Sequence, residues 1–224
     1  NRPLPITNAG HADLVQGPDG DWWATFLASR NYGVAPGNSS HYNTGREAFL
    51  LPVTWKDGWP VILPHGEKIP YVLPGPSFMK KPADQAPMTG NFTWRDDFDT
   101  VELGKGWMTP RVPKTPWYDG KARPGWLAIK PLAERLDSMV NPAFYARRQQ
   151  HQVFQASTAM ELPAPGVAAG LAAFQGETHW YFLGVRRAGE GDGAEVFLEK
   201  KAGGEVELVA RQEAPAAAQL TLHI

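Results

Sequence analysis

The chain has 224 residues and a formal net charge of −1, with 22 Lys and Arg against 23 Asp and Glu. That balance gives no basic face for nucleic acid. The absence of cysteine rules out disulfides and thiolate metal sites and leaves the compartment open, and no apolar run approaches the ~20 residues of a membrane-spanning helix.

The 23 Gly and 21 Pro favour many short strands joined by turns over helices. Nine Trp in a near-neutral β-rich chain fit a sugar-handling protein, since pyranose faces stack on indole rings. Core packing in a sheet is still the better account of any single Trp.

In chain order, residues 1–10 read as an extended, proline-bearing lead-in. Asn1-Arg2-Pro3-Leu4-Pro5 lacks the charged and apolar regions of a signal peptide. Residues 12–15 predict a short strand, Gly17-Pro18-Asp19-Gly20-Asp21 a turn, and residues 22–27 the second arm of a hairpin. A loop rich in Gly, Asn and Ser follows over 29–45. Residues 49–53 predict a third strand, Lys56-Asp57-Gly58 a turn, and 59–63 a fourth strand. Four such strands suit one blade of a β-propeller or a slice of a sandwich. A single blade cannot bury its own core and needs neighbours.

Six prolines between Pro64 and Pro87 mark residues 64–91 as a linker region. It is expected to lie on a surface, because Ile69, Tyr71, Val72, Leu73 and Phe78 need cover. The resulting division is a propeller-type segment over 1–76, a linker over 77–91 and a second all-β domain over 92–224. In that domain, 92–98 reads as a strand start, with strands at 125–130, 143–148, 151–161, 167–174, 180–187, 195–199 and 220–224. Turns are expected at 163–166 and 189–193. So many strands imply two packed sheets, a jelly roll or a related sandwich. Residues 132–136 allow at most one helical turn.

Two segments carry the chemistry-bearing candidates. His11 follows Gly10 at the start of an apolar run, and Arg46 follows Gly45 at the start of another. Strand mouths of this kind are where loops converge and ligands bind. Asp13, two residues from His11, is expected on the same side of a strand, where it would orient His11 or share water or a cation with it. Arg46 offers a fixed charged fork for sugar hydroxyls or a carboxylate; pairing with the adjacent Glu47 is the plainer alternative. Asp96, Asp97 and Asp99 form an acidic cluster, read either as a solvated turn or as a calcium site built from hard oxygen ligands. The basic and polar run from Arg147 to His151 reads as a solvated or domain-facing strand edge. Ser39-Ser40-His41 has no nucleophile-elbow pattern. Asp13 and Glu47 are the carboxylates nearest the His11 and Arg46 corner, and nothing around them marks a glycosidase acid–base pair.

Together the segments resemble glycoside hydrolase family 43, in particular its β-xylosidases and α-L-arabinofuranosidases with a C-terminal sandwich. The resemblance rests on Gly10-His11-Ala12-Asp13-Leu14-Val15, Trp22-Trp23, Gly58-Trp59-Pro60-Val61 and Thr44-Gly45-Arg46-Glu47-Ala48-Phe49-Leu50, where the family usually has Thr in place of Ala48. In the second domain it rests on Trp94-Arg95-Asp96-Asp97-Phe98-Asp99, Asn141-Pro142, Arg147-Arg148-Gln149-Gln150-His151 and Ala172-Ala173-Phe174-Gln175.

The resemblance implies an all-β fold: the last part of a five-bladed propeller, then a lectin-like sandwich. It implies an inverting mechanism, with an Asp base, a Glu acid and a second Asp that tunes the acid. His11 matches the active-site His near the propeller axis, and Arg46 the Arg that lines the sugar subsite. In the family the three carboxylates lie upstream of the segments matched here, and the sandwich runs on for further strands. The chain is therefore expected to be part of a longer enzyme that takes xylo-oligosaccharide or arabinoside substrates, completed by the remaining propeller segment and assembled as a homo-oligomer. Without that segment it is expected not to hydrolyse glycosides. No cofactor is required; a calcium ion near His11 or at Asp97 is a further expectation. A non-catalytic sugar-binding module is the alternative, and it predicts a lone chain with no partner segment.

Overall fold

The computed structural model describes residues 5–34, 40–79, 90–100, 104–188, 193–214 and 219–224. Every regular element among them is a strand, and no helix is long and apolar enough to cross a membrane. The chain divides into two units. One spans Asn1–Thr93 and takes in Gln149–Gln152; the other spans Trp94–Arg148 and Val153–Ile224.

The first unit contains β1 (Ile6–Gln16), β2 (Trp22–Arg30), β3 (Gly33–Val34), β4 (Ser40–His41), β5 (Glu47–Lys56) and β6 (Trp59–Val61). Four of these form one antiparallel sheet in the order β1-β2-β5-β6, while β3 and β4 make a separate ribbon. The turn predicted at 17–21 closes with the Gly20 amide donating to the Gly17 carbonyl at 3.0 Å. At the β5–β6 turn Asp57 and Gly58 both have positive φ, 51° and 79°. That pairing is the two-residue hairpin geometry whose twist matches the flanking strands.

β2 and β5 run in unbroken register from Trp22 opposite Val53 to Ala28 opposite Glu47. Alternation therefore gathers Ala24, Phe26 and Ala28 with Phe49 and Leu51 on one face. The Phe26 and Phe49 rings stack at 5.8 Å. Ile6, Phe26, Ala28 and Leu51 are the buried centre of this core, and Phe49, Ile62, Ile69 and Leu73 pack around it. Ile69 and Leu73 thus find the cover that the linker was expected to need. Val72 does not, at 87% exposure, and Tyr71 and Phe78 are exposed as well. β1 begins six residues before its predicted start, because Ile6 and Thr7 pair with Arg30 and Ser29 and the Ile6 side chain is buried.

The second unit contains β7 (Trp107–Met108), β8 (Tyr118–Asp119), β9 (Ala128–Ile129), β10 (Ala146–Arg147), β11 (Ser157–Glu161), β12 (Ala169–Gly176), β13 (His179–Arg187), β14 (Ala194–Ala202), β15 (Glu207–Ala214) and β16 (Gln219–His223). Strands β12 to β15 form a sequential antiparallel meander; β7 pairs with β10, β8 with β9 and β11 with β16. Val185, Ala194 and Leu222 centre its core, with Met160, Leu171, Leu183 and Val196 packed against them. The strands predicted at 167–174, 180–187, 195–199 and 220–224 correspond to β12, β13, β14 and β16.

Four expectations are corrected. Residues 92–98 form no strand: Asp96 turns the chain, its Oδ1 accepting the Phe98 amide at 2.9 Å and its Oδ2 the Trp107 indole N–H at 2.7 Å. The strands expected at 125–130 and 143–148 shrink to the two-residue β9 and β10. Residues 151–156 are not strand: the Gln150, His151 and Gln152 carbonyls accept from side chains, and backbone pairing resumes only at Ala156, which exchanges bonds with Ile224 beside β11. No helical turn forms at 132–136. β15 carries no apolar alternation that would have announced it; pairing with β14 makes it a strand. The predicted 163–166 turn is present, with the Val167 amide donating to Ala164 at 3.1 Å. Most of the 189–193 turn lies outside the described residues.

Candidate functional site

β1 is the irregular strand of its sheet. Its register with β2 shifts twice, between Thr7 and Gly10 and again between Gly10 and Asp13. Asn8 and His11, one in each irregular stretch, take positive φ values of 56° and 58°. That conformation costs an L-residue roughly 1–2 kcal/mol, and Asn and His are among the side chains that tolerate it best. Such bulges re-aim side chains at sheet ends and rims. His11 is exposed and makes no hydrogen bond or ion pair among the described residues. The bulge also breaks the two-residue alternation expected to bring His11 and Asp13 to one side. Asp13 sits back in register opposite Thr25, exposed, with no bond to His11.

Arg46 lies in the bend between Gly45, whose φ is +70°, and the first residue of β5. The plain alternative was a pair with Glu47, but Glu47 is taken by another cation. Arg30 donates Nε to Oε1 at 2.8 Å and Nη2 to Oε2 at 2.7 Å, and the buried Thr44 hydroxyl donates to Oε1 at 3.0 Å. Hydrogen bonding to Glu47 raises the Arg30 pKa above the usual arginine value. Arg46 itself is exposed and makes no hydrogen bond or ion pair among the described residues. Its Nη2 lies 4.0 Å from the position a β-carbon would take on Gly10, the residue before His11. The two segments singled out in the sequence therefore converge at one end of one sheet.

Arg30 was not anticipated, and it is the hub of this end. Beyond Glu47, its Nη2 donates to the Gln150 carbonyl at 2.6 Å, and its own carbonyl accepts from Gln152 Nε2 at 3.0 Å. Asn43 Nδ2 donates to the Gln152 carbonyl at 2.8 Å, and His151 Nε2 lies 2.6 Å from the Gly90 carbonyl, its ring edge-on to Phe92. Residues 149–152 are therefore an irregular, hydrogen-bonded clip; of the solvated or domain-facing strand edge expected, the regular strand and the solvated reading do not hold here. No local signal marks Arg30, because its partners lie 17 and 120 positions away.

At the acidic cluster, Arg95 pairs with Asp97, and that hydrogen bond lowers the Asp97 pKa. Asp96 is occupied by Phe98 and Trp107. Among the described residues no three His, Cys, Asp or Glu side chains group to hold a metal ion. The calcium expectation at His11 or Asp97 thus gains no ligand set. The second unit's Trp rings pack mainly on one another and on Tyr: Trp107 stacks on Tyr145 at 5.1 Å, Trp94 meets Trp107 edge-on at 5.4 Å, and Trp117 is buried. Trp59, by contrast, is 75% exposed.

Comparison with known proteins bears on both units. Residues 95–224 match the family described as "Beta xylosidase C-terminal Concanavalin A-like domain", and residues 1–60 match "Glycosyl hydrolases family 43". The chain is 38% identical over 150 residues to the non-reducing end alpha-L-arabinofuranosidase BoGH43B of Bacteroides ovatus, covering 65% of this chain and 25% of that protein. It is 33% identical over 194 residues to a xylosidase/arabinosidase of Butyrivibrio fibrisolvens, covering 83% of this chain and 35% of that one. Among solved structures, the Bacteroides ovatus xyloglucan PUL GH43B protein matches with a TM-score of 0.74 at 31% identity, over 98% of this chain and 41% of that one. BlXynB of Bacillus licheniformis matches with a TM-score of 0.75 at 27% identity, over 98% and 40%. The chain thus spans 25% to 41% of the length of these relatives. The fold is all-β, part of a propeller followed by a concanavalin A-like sandwich. With one family description covering its start and the other more than half of its length, the chain belongs to glycoside hydrolase family 43.

Proposed function

We propose that the chain is part of an inverting exo-glycosidase that releases xylose from the non-reducing end of β-1,4-xylo-oligosaccharides, with α-L-arabinofuranosides as a second substrate class. The observation that carries this reading is the Arg46 guanidinium, without a partner among the described residues, beside Gly10 and next to His11, which takes a left-handed conformation. A free, always-charged donor fork next to an exposed imidazole suits a polyhydroxylated ligand. The xylosidase and arabinofuranosidase names among the relatives fit the same ligand class.

In this reading His11 and Arg46 bind and orient the terminal sugar, and Arg46 also holds a catalytic carboxylate in place. The Asp base that activates water and the Glu acid that protonates the leaving oxygen come from propeller segments outside these 224 residues. Their carboxyl groups stand ~6.5–9.5 Å apart, leaving room for the attacking water. Residues 1–76 then form the last part of the catalytic propeller, residues 77–91 a linker and residues 92–224 a bracing sandwich. Exposed Leu14, Val15, Trp55 and Trp59 offer apolar surface to an adjacent blade. The enzyme assembles as a homo-oligomer and needs no cofactor for acid–base hydrolysis.

Native and denaturing mass spectrometry of the purified particle, followed by assay on aryl β-xyloside and aryl α-L-arabinofuranoside, tests the proposal. A longer or second polypeptide together with activity on either glycoside is expected. A completed particle that cleaves neither overturns the reading.

A further inference from the structure

Arg46 and Glu47 are adjacent in sequence, opposite in charge and not paired. The register explains how. Glu47 stands opposite Ala28 on the Phe26 and Phe49 face of the sheet. Ala48 stands opposite Leu27 and Leu27 opposite Gly10, one row along the sheet, and the Arg46 tip lies beside Gly10. Glu47 is fixed from three directions, by both arms of Arg30 and by Thr44. Arg30 is in turn fixed at its side chain by the Gln150 carbonyl and at its main chain by Gln152. The residue on the other flank of Arg46, Gly45, is in the left-handed region. The Arg46 backbone is thus held between a turn that only a few conformations satisfy and a side-chain clamp. The long Arg46 side chain has no anchor of its own among the described residues.

We propose that Arg30 and Glu47 act as a positioning clamp for the sugar-binding Arg46, fixing the main chain beside it so that its guanidinium is presented at the His11 corner. This rests on the reading of Arg46 given above. It assigns to Arg30 and Glu47 a role in ligand orientation without contact to the ligand. The clamp is two-pronged, so a lysine at position 30 keeps the charge but not the geometry. Misplacement of a binding group by about an ångström is enough to cost orders of magnitude in rate.

The test is a double-mutant cycle in the completed enzyme, read as kcat/KM on aryl β-xyloside and aryl α-L-arabinofuranoside, with thermal melting of every variant. R30M is expected to lower kcat/KM about tenfold, at temperatures well below its melting point. In an R46M background, R30M is expected to lower it no further, because the clamp acts only through Arg46. R30K should fall between wild type and R30M. Should R30M not fold, R30K takes its place in the cycle. Equal losses from the position-30 substitution with and without Arg46 would mean a general structural role and overturn the inference, as would no loss at all. If R46M itself leaves kcat/KM unchanged, the reading of Arg46 fails and the clamp with it, an outcome distinct from the other two.

Discussion

The two four-stranded sheets differ in backbone regularity. In the second unit the meander β12-β13-β14-β15 runs with a single register shift in each outer pairing and none between β13 and β14. It carries ion pairs, Arg186 with Glu195 at 2.5 Å, Lys200 with Glu207 at 2.8 Å and Lys201 with Asp137 at 3.2 Å, while Arg211 and Glu213 on β15 make none among the described residues. In the first unit, β1 breaks register twice, holds two non-glycine residues in left-handed conformation, and passes at Gly10 beside Arg46, which has no ion pair among the described residues. Irregularity and unpaired charge cost stability, and they collect at functional sites when the surroundings enforce them. Under the proposed function, the contrast separates a regular scaffold sheet from the sheet that holds the proposed sugar-binding groups.

Four measurements break or sharpen that contrast. The largest expected effect is in the scaffold. Phe197 is 3% exposed, packs over Gly184 and lies edge-on to Phe182 at 5.8 Å. F197A should cost about 3–5 kcal/mol in denaturant unfolding. R46M should do the reverse, lowering kcat/KM of the completed enzyme about 100-fold, the scale for losing one preorganised donor. Its unfolding free energy should stay within about 0.5 kcal/mol of wild type. A large stability loss in R46M would erase the distinction between the sheets.

The third comparison stays within β1. N8G and H11G should each raise stability by about 0.5–1 kcal/mol, since glycine relieves the left-handed strain. Only H11G should also lower activity.

The smallest effect is a pH dependence in the second unit. The hydrogen bond from Arg111 lowers the Glu177 pKa. Because the folded state favours the ionised carboxylate, its contribution is present above the unfolded glutamate pKa of about 4.3 and is lost as pH falls through the lower folded value. E177Q should therefore melt with a shallower pH dependence than wild type below that pH, by ~0.5 kcal/mol or less for so accessible a pair.

Much of the first sheet was legible because its signals are local. Asp57-Gly58 specifies its hairpin, and Gly17 to Asp21 specifies the other turn. The period-two burial of Ala24, Phe26 and Ala28 follows from alternation. His11 and Arg46 were legible as candidates because each follows a glycine at a strand mouth. What could not be read was the way their neighbourhood is held. A bulge depends on pairing with β2, so the loss of alternation between His11 and Asp13 has no sequence mark. Arg30 reads as part of the Gly-, Asn- and Ser-rich loop over 29–45, and its acceptors are a glutamate on a non-adjacent segment and a carbonyl more than a hundred residues on. In the second unit, β15 exists through pairing alone; in the span 151–156, side chains claim the His151 and Gln152 carbonyls.

The clip at Gln149–Gln152 has a consequence for how the molecule is made. The first unit is not contiguous along the chain: after Thr93 it lacks the four residues that cap Arg30 and Asn43. During synthesis those residues emerge roughly 60 positions later, several seconds at ~5–20 residues per second. For that interval the sheet bearing His11 and Arg46 exists with its Arg30 end unfinished. Its completion has to wait for those residues to leave the ribosome, so synthesis order and folding order differ at the corner that holds His11 and Arg46.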